Sequence, residues 1–133
     1  MGIFTNIQAA LDTKLSTLPN LPPVQWPNSN YKPVEGTLFL RATLMPATGA
    51  LDTLAGSYLH KGLYQIDVFC PLNQGVATLN SWLDSIQALF ASSKVLTANT
   101  QNVFVQDIVQ TKSSREAGWF IGSITIHYSC YSN

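Results

Sequence analysis

From Tyr58 to Cys70 the chain alternates with a period of two residues. Tyr64, Ile66, Val68 and Cys70 form an apolar row, and Leu63, Gln65, Asp67 and Phe69 a mixed one. Rows of this kind face opposite sides of a strand. Pro71 lacks a backbone donor and holds Cys70 extended, so the strand is expected to stop there. Beyond it, Val76, Leu79, Trp82, Leu83, Ile86, Leu89 and Phe90 recur at helical spacing, the clearest apolar stripe in the sequence. A strand followed by a one-sided helix is the expected nucleus of a small domain.

The other segments can be placed against that nucleus. Ile7, Leu11, Leu15 and Leu18 predict an amphipathic helix over 3–18, with Thr5 and Gln8 as a capping box or with a start nearer Gly2; Pro19 ends it. Residues 19–36 carry five of the seven prolines and read as an extended connector, with Pro22–Pro27 as a short edge segment and Trp26 tucked onto the domain. Residues 37–45 predict a strand with Leu38, Leu40, Ala42 and Leu44 facing the core. Residues 46–57 then form a long loop, uncharged apart from Asp52. Lys94–Leu96 reads as a short strand or the helix end, and 102–110 as a strand. Residues 111–117, with Lys112, Arg115 and Glu116, read as a polar hairpin loop, and 119–131 as a long last strand. The order helix, strand, strand, helix, strand, strand predicts a single α+β domain over 1–133. Its core is a four-stranded, mostly antiparallel sheet with both helices on one face.

Composition adds one thing to this picture. Charged residues make up 11% of the 133 residues, against about 25% in an ordinary soluble domain, and the formal net charge is zero. The basic footprint of a nucleic-acid binder is missing. Surfaces that pack on other protein are poor in charge at their centres, so the composition leans towards an assembling protein. Met1–Asn6 lack the cationic start of a secretion signal and no apolar run reaches membrane length, so Cys70 and Cys130 are expected as free, buried thiols after cytoplasmic synthesis.

Candidate chemistry is sparse. His60 and His127 stand at no metal-ligand spacing, and no phosphate-loop glycine pattern occurs. Cys70 belongs to the apolar row, which favours packing over nucleophilic work. Asp67 is placed to pair with Arg41 across the sheet. No catalytic residue, metal or cofactor is expected.

Two stretches carry a resemblance. Phe39-Leu40-Arg41-Ala42-Thr43-Leu44-Met45-Pro46 is followed, after a Gly/Ala/Thr-rich loop, by Gly62-Leu63-Tyr64-Gln65-Ile66-Asp67-Val68-Phe69-Cys70-Pro71 and an amphipathic helix. This order resembles the tail-terminator-like family of phages, small proteins similar to the minor tail protein that caps the tail tube of lambdoid phages. Phe39 stands where a Trp is frequent in that pattern. The resemblance implies a virion structural protein that forms a ring, expected to be a hexamer, at the head-proximal end of the tail. Its partners are then other copies of itself, the tail tube protein and a neck or connector protein. DNA passes through the lumen without sequence-specific binding, and no membrane is involved. On this reading the loops 46–57 and 111–117 make contacts between subunits or rings, with Arg41, Asp52, Asp67, Lys112, Arg115 and Glu116 as interface charges. Two alternatives stay open: another neck or head-completion ring protein, or a small cytosolic enzyme or ligand-binding domain with a cleft near Cys70, Asp67 and His60.

Overall fold

In the computed structural model, residues 3–26, 32, 36–46, 50–52, 57–72, 76–98, 101–116 and 118–132 are described. The elements run α1 (Ile3–Ser16), β1 (Val24–Gln25), β2 (Phe39–Pro46), β3 (Ala50–Asp52), β4 (Ser57–Pro71), α2 (Val76–Ala91), β5 (Val95–Ala98), β6 (Gln101–Glu116) and β7 (Trp119–Ser132). The strands form one seven-stranded sheet in the order β1-β2-β4-β7-β6-β5, with β3 pairing β4. β1 joins β2 in parallel, and every other pair is antiparallel.

The four expected strands are the four long ones. The sheet adds β3 inside the expected loop, and it includes β1 and β5, where an edge segment of the connector and a short strand or helix end are expected; these three are two to four residues long. Segments that short hold too few residues for a two-residue period to register. A second correction concerns residues 111–117: β6 continues to Glu116, so the polar loop is strand, and Gly118, at φ 86°, lies in the turn before β7. The run 111–116 shows no apolar row in the sequence, so periodicity alone does not mark it as strand. Pro46 closes β2 and Ala50–Asp52 pair with Ser57–Leu59, so part of the expected loop 46–57 is also sheet. Residues 47–49 and 53–56 of that loop, and 27–31 and 33–35 of the connector, lie outside the described residues.

Both helices lie on one face, as their stripes require. Ile7, Leu11 and Leu15 of α1 and Leu79, Ile86 and Phe90 of α2 share one core with Leu40, Ile66, Ile124 and Ile126 of the sheet, all fully buried. Gly122 allows α2 its close approach: a Cβ there would stand 2.8 Å from Leu83 Cδ1. α1 starts at Ile3, so Thr5 and Gln8 fall inside it; Gln8 Nε2 donates to Asp12, 3.0 Å away, rather than to the helix end. Trp26 packs against the core from beside β1, as expected of the connector.

The registers put residues of β2, β4, β7 and β6 on common levels. Arg41, Asp67, Ser123 and Thr111 form one level, and Thr43, Gln65, Thr125 and Val109 the next but one. Among the described residues, the flanks are covered only partly. β1 pairs with Leu40 and Arg41 alone, and β5 with Gln101–Phe104 alone.

Candidate interaction surface

Among the described residues, the face of the sheet opposite the helices carries no second layer. Alternation puts Phe39, Arg41, Thr43 and Met45 of β2 on it, beside Phe69, Asp67, Gln65 and Leu63 of β4 and Ile121, Ser123, Thr125 and His127 of β7. At one end Phe39, Phe69 and Ile121 bury one another, with Trp119 packed against them. The rings of Phe39 and Phe69 stack at 4.5 Å and 8°, and Trp119 meets Phe39 edge-on at 5.1 Å. The aromatic quadrupoles favour both arrangements.

Next to this cluster stands an acidic residue that is 3% exposed. Asp67 Oδ2 accepts from Arg41 Nε at 3.2 Å and Nη2 at 3.0 Å, while Oδ1 accepts from Gln65 Nε2 at 2.8 Å and from the Ser123 hydroxyl. Four charge-assisted bonds compensate the burial of the carboxylate. The Arg41 guanidinium lies 4.8 Å from the Phe69 ring centre, so it is held by an anion at one side and an aromatic face beneath. Its side chain is still 48% exposed. The pair thus contributes little Coulombic stability, but it presents an arginine in a fixed pose to whatever approaches this face.

The expected interface charges divide in two. Arg41 and Asp67 are brought together as expected. Lys112, Arg115 and Glu116 lie on the last part of β6, two strands from Asp67 and three from Arg41, and Arg115 is exposed. Asp52 lies in β3 opposite Ser57; the side chains of Asp52, Lys112 and Glu116 fall outside the described residues. Sequence reasoning missed the Phe39–Phe69–Ile121–Trp119 cluster. The signal was there: Phe39, Phe69 and Ile121 occupy the rows read as non-core on three strands.

At the other end of the open face is a groove of about 620 Å³, lined among others by Lys61, Phe104, Asp107, His127 and Tyr131. The alternative cleft of Cys70, Asp67 and His60 does not assemble. Cys70 faces the helices and Asp67 the open side, while His60 lies seven residues along β4, roughly 23 Å from Asp67 at strand spacing. Cys70 and Cys130 are both free and buried, and burial pushes both thiols up, opposite to what a nucleophile needs. Among the described residues no three His, Cys, Asp or Glu side chains are gathered as for a metal ion, and no helix is long and apolar enough to cross a membrane.

On the helix side, Asp12 of α1 accepts from the Tyr64 hydroxyl of β4 and from Gln8. Burial pushes the Asp12 carboxyl up, against the lowering effect of those two bonds. Burial and the adjacent carboxylate push the Tyr64 hydroxyl up as well. The contact pins the middle of α1 to the centre of the sheet.

Comparison with known proteins fits this architecture. Residues 6–128 match the profile of a family described as phage tail terminator protein. Twenty-two solved chains also match. One of them superposes with a TM-score of 0.73 at 24% identity, over 98% of this chain and 94% of the other, which establishes a shared fold. No curated protein sequence matches.

Proposed function

Since the chain belongs to the phage tail terminator family, we propose that it forms a ring on the head-proximal end of the tail tube and stops tube growth there. The observation that carries this reading is the family match, which spans nearly the whole chain. A structural role in the tail also fits the expectation of a non-enzyme. The mechanism is geometric. One side of the ring binds the last layer of tube subunits, and the other side offers a different surface, so the next layer has nothing to add to. A neck or connector protein docks on that new surface, and DNA passes through the lumen without base-specific contacts.

A ring built head-to-tail closes by rotation and leaves no unsatisfied patch around its circumference. The fixed Arg41, held by Asp67 and Phe69, is suited to reading a carboxylate or carbonyl on a tube or neck protein. Arg115, with Asp52, Lys112 and Glu116, supplies charges that set the register of contacts between rings. Reversing Arg115 and Glu116 together tests that assignment: tails are expected to complete but fail to join heads. Full infectivity in that variant removes these charges from the docking surface. Mixing purified tube protein with this chain tests the main reading, with capped tubes of limited length expected.

A further inference from the structure

We propose that neighbouring copies in the ring join edge to edge, the free part of β2 in one copy pairing antiparallel with the free part of β6 in the next. The proposal rests on the ring reading above and adds which surfaces meet.

Backbone pairing is the first argument. Among the described residues, Ala42–Pro46 of β2 have no neighbour beyond β4, because β1 stops at the level of Arg41. On the opposite flank, β5 covers β6 only to Phe104, and Val105 donates to the Lys94 carbonyl. From Gln106 on, β7 is the one strand paired with β6 among the described residues; the Ile108 N–H turns to the Asp107 carboxylate at 2.9 Å, a local bond that a neighbouring strand's carbonyl would replace. Two irregularities, between Val105 and Asp107 and between Thr111 and Ser114, leave Asp107–Thr111 as the regular part of that edge. Among the described residues, each flank therefore offers about five residues of strand without an outer partner. Open edges of that kind recruit other strands, and a closed ring consumes both at once. The exposed Arg115 and the second irregularity guard the remainder of β6 against further pairing.

Level is the second argument. Tracing partners across the sheet, Ala42 shares a level with Gln110, Thr43 with Val109, Leu44 with Ile108 and Met45 with Asp107. The two free segments thus stand at the same height along the strands. A closed ring has no rise from copy to copy, so with its axis along the strands it brings equal heights together. β2 and β6 run in opposite directions within one copy, and rotation preserves those directions, so the junction is antiparallel.

A groove supplies the third. On the helix side of the β2 edge is a hollow of about 480 Å³ lined by Phe4, Thr5, Gln8, Ala9, Asp12 and Leu44. Phe4 is 47% exposed there. Ile108 is half-buried and points to the helix side, at the level of Leu44. In the proposed junction, Ile108 of the next copy enters this hollow. On the open face, Thr43 meets Val109, which is 40% exposed.

The test uses the double variant Thr43→Cys with Val109→Cys in the full chain, bound to tube ends and mildly oxidised. Opposed positions in an antiparallel pair lie within disulfide reach, and the native thiols are buried and do not compete. A ladder of covalently linked chains is expected, and neither single variant is expected to give one. Amide exchange of the native chain provides a second readout, with residues 42–46 and 107–111 slowing at least tenfold on assembly. A ring seen by scattering with no ladder and no slowing overturns the edge proposal while the ring stands. Absence of any ring species overturns the functional reading, and this proposal with it.

Discussion

The two faces of the sheet are built from the same strands but by different chemistry. The helix-covered face is a continuous apolar layer, in which Leu40, Ile66, Ile124 and Ile126 meet the stripes of α1 and α2. The open face has a small aromatic cluster at one end and, beside it, a buried carboxylate with four donors. One face holds the fold together by exclusion of water. The other spends buried polar groups on fixing the pose of a half-exposed arginine. A protein that needed only to fold would have little use for the second arrangement, because polar burial of this type adds little net stability. The contrast teaches that the two faces are held by different forces, apolar packing on one and a compensated buried carboxylate on the other.

The largest expected effect comes from the covered face. Ile66→Ala leaves a cavity between sheet and helices and should cost about 2–5 kcal/mol, measured by urea denaturation. Asp67→Ala should cost less, about 1–3 kcal/mol, since it strands Gln65 and Ser123 while Arg41 regains water. If the two losses prove equal, the open face is a second core and the contrast fails. A double-mutant cycle between Arg41 and Asp67 should give a coupling of about 1 kcal/mol or less, because the arginine is half exposed.

A third prediction sharpens the covered side, where one polar contact does sit. Tyr64→Phe should cost about 1 kcal/mol by removing the donor to Asp12. The Asp12 carboxyl titrates above its unfolded value, so the folded state binds the extra proton in the window between the two. Stability should therefore fall as pH rises from the ordinary carboxylate range through the raised Asp12 value. Asp12→Asn should flatten that slope in denaturation curves taken across acidic pH. The smallest effect is expected at Arg115, which is exposed: Arg115→Glu should change stability by no more than about 0.5 kcal/mol.

The same contrast explains what was legible in the sequence. The covered face was readable because burial imposes periodicity: the rows through Leu40, Ile66 and Ile124 and the stripe from Leu79 to Phe90 each appear at the spacing their element demands. The Arg41–Asp67 pair was readable too, since a charge opposite a charge on facing strands is a pairwise signal. The length of β6 was not. Lys112–Glu116 form a polar run, and polarity alone does not separate a strand from a loop. The aromatic cluster was legible only as apolar residues on otherwise mixed rows; that they meet depends on the strand order, which the sequence does not give. β1 and β3 are too short to carry a period at all.

The central claim is that this chain ends a polymer by occupying its growing tip. Electron microscopy of tails made with and without it gives the most direct measurement, read as a length distribution. The account predicts a single sharp length in its presence and a broad, overlong distribution without it, restored by adding the purified chain. Tails of ordinary, uniform length in its absence, with heads firmly attached, would contradict it.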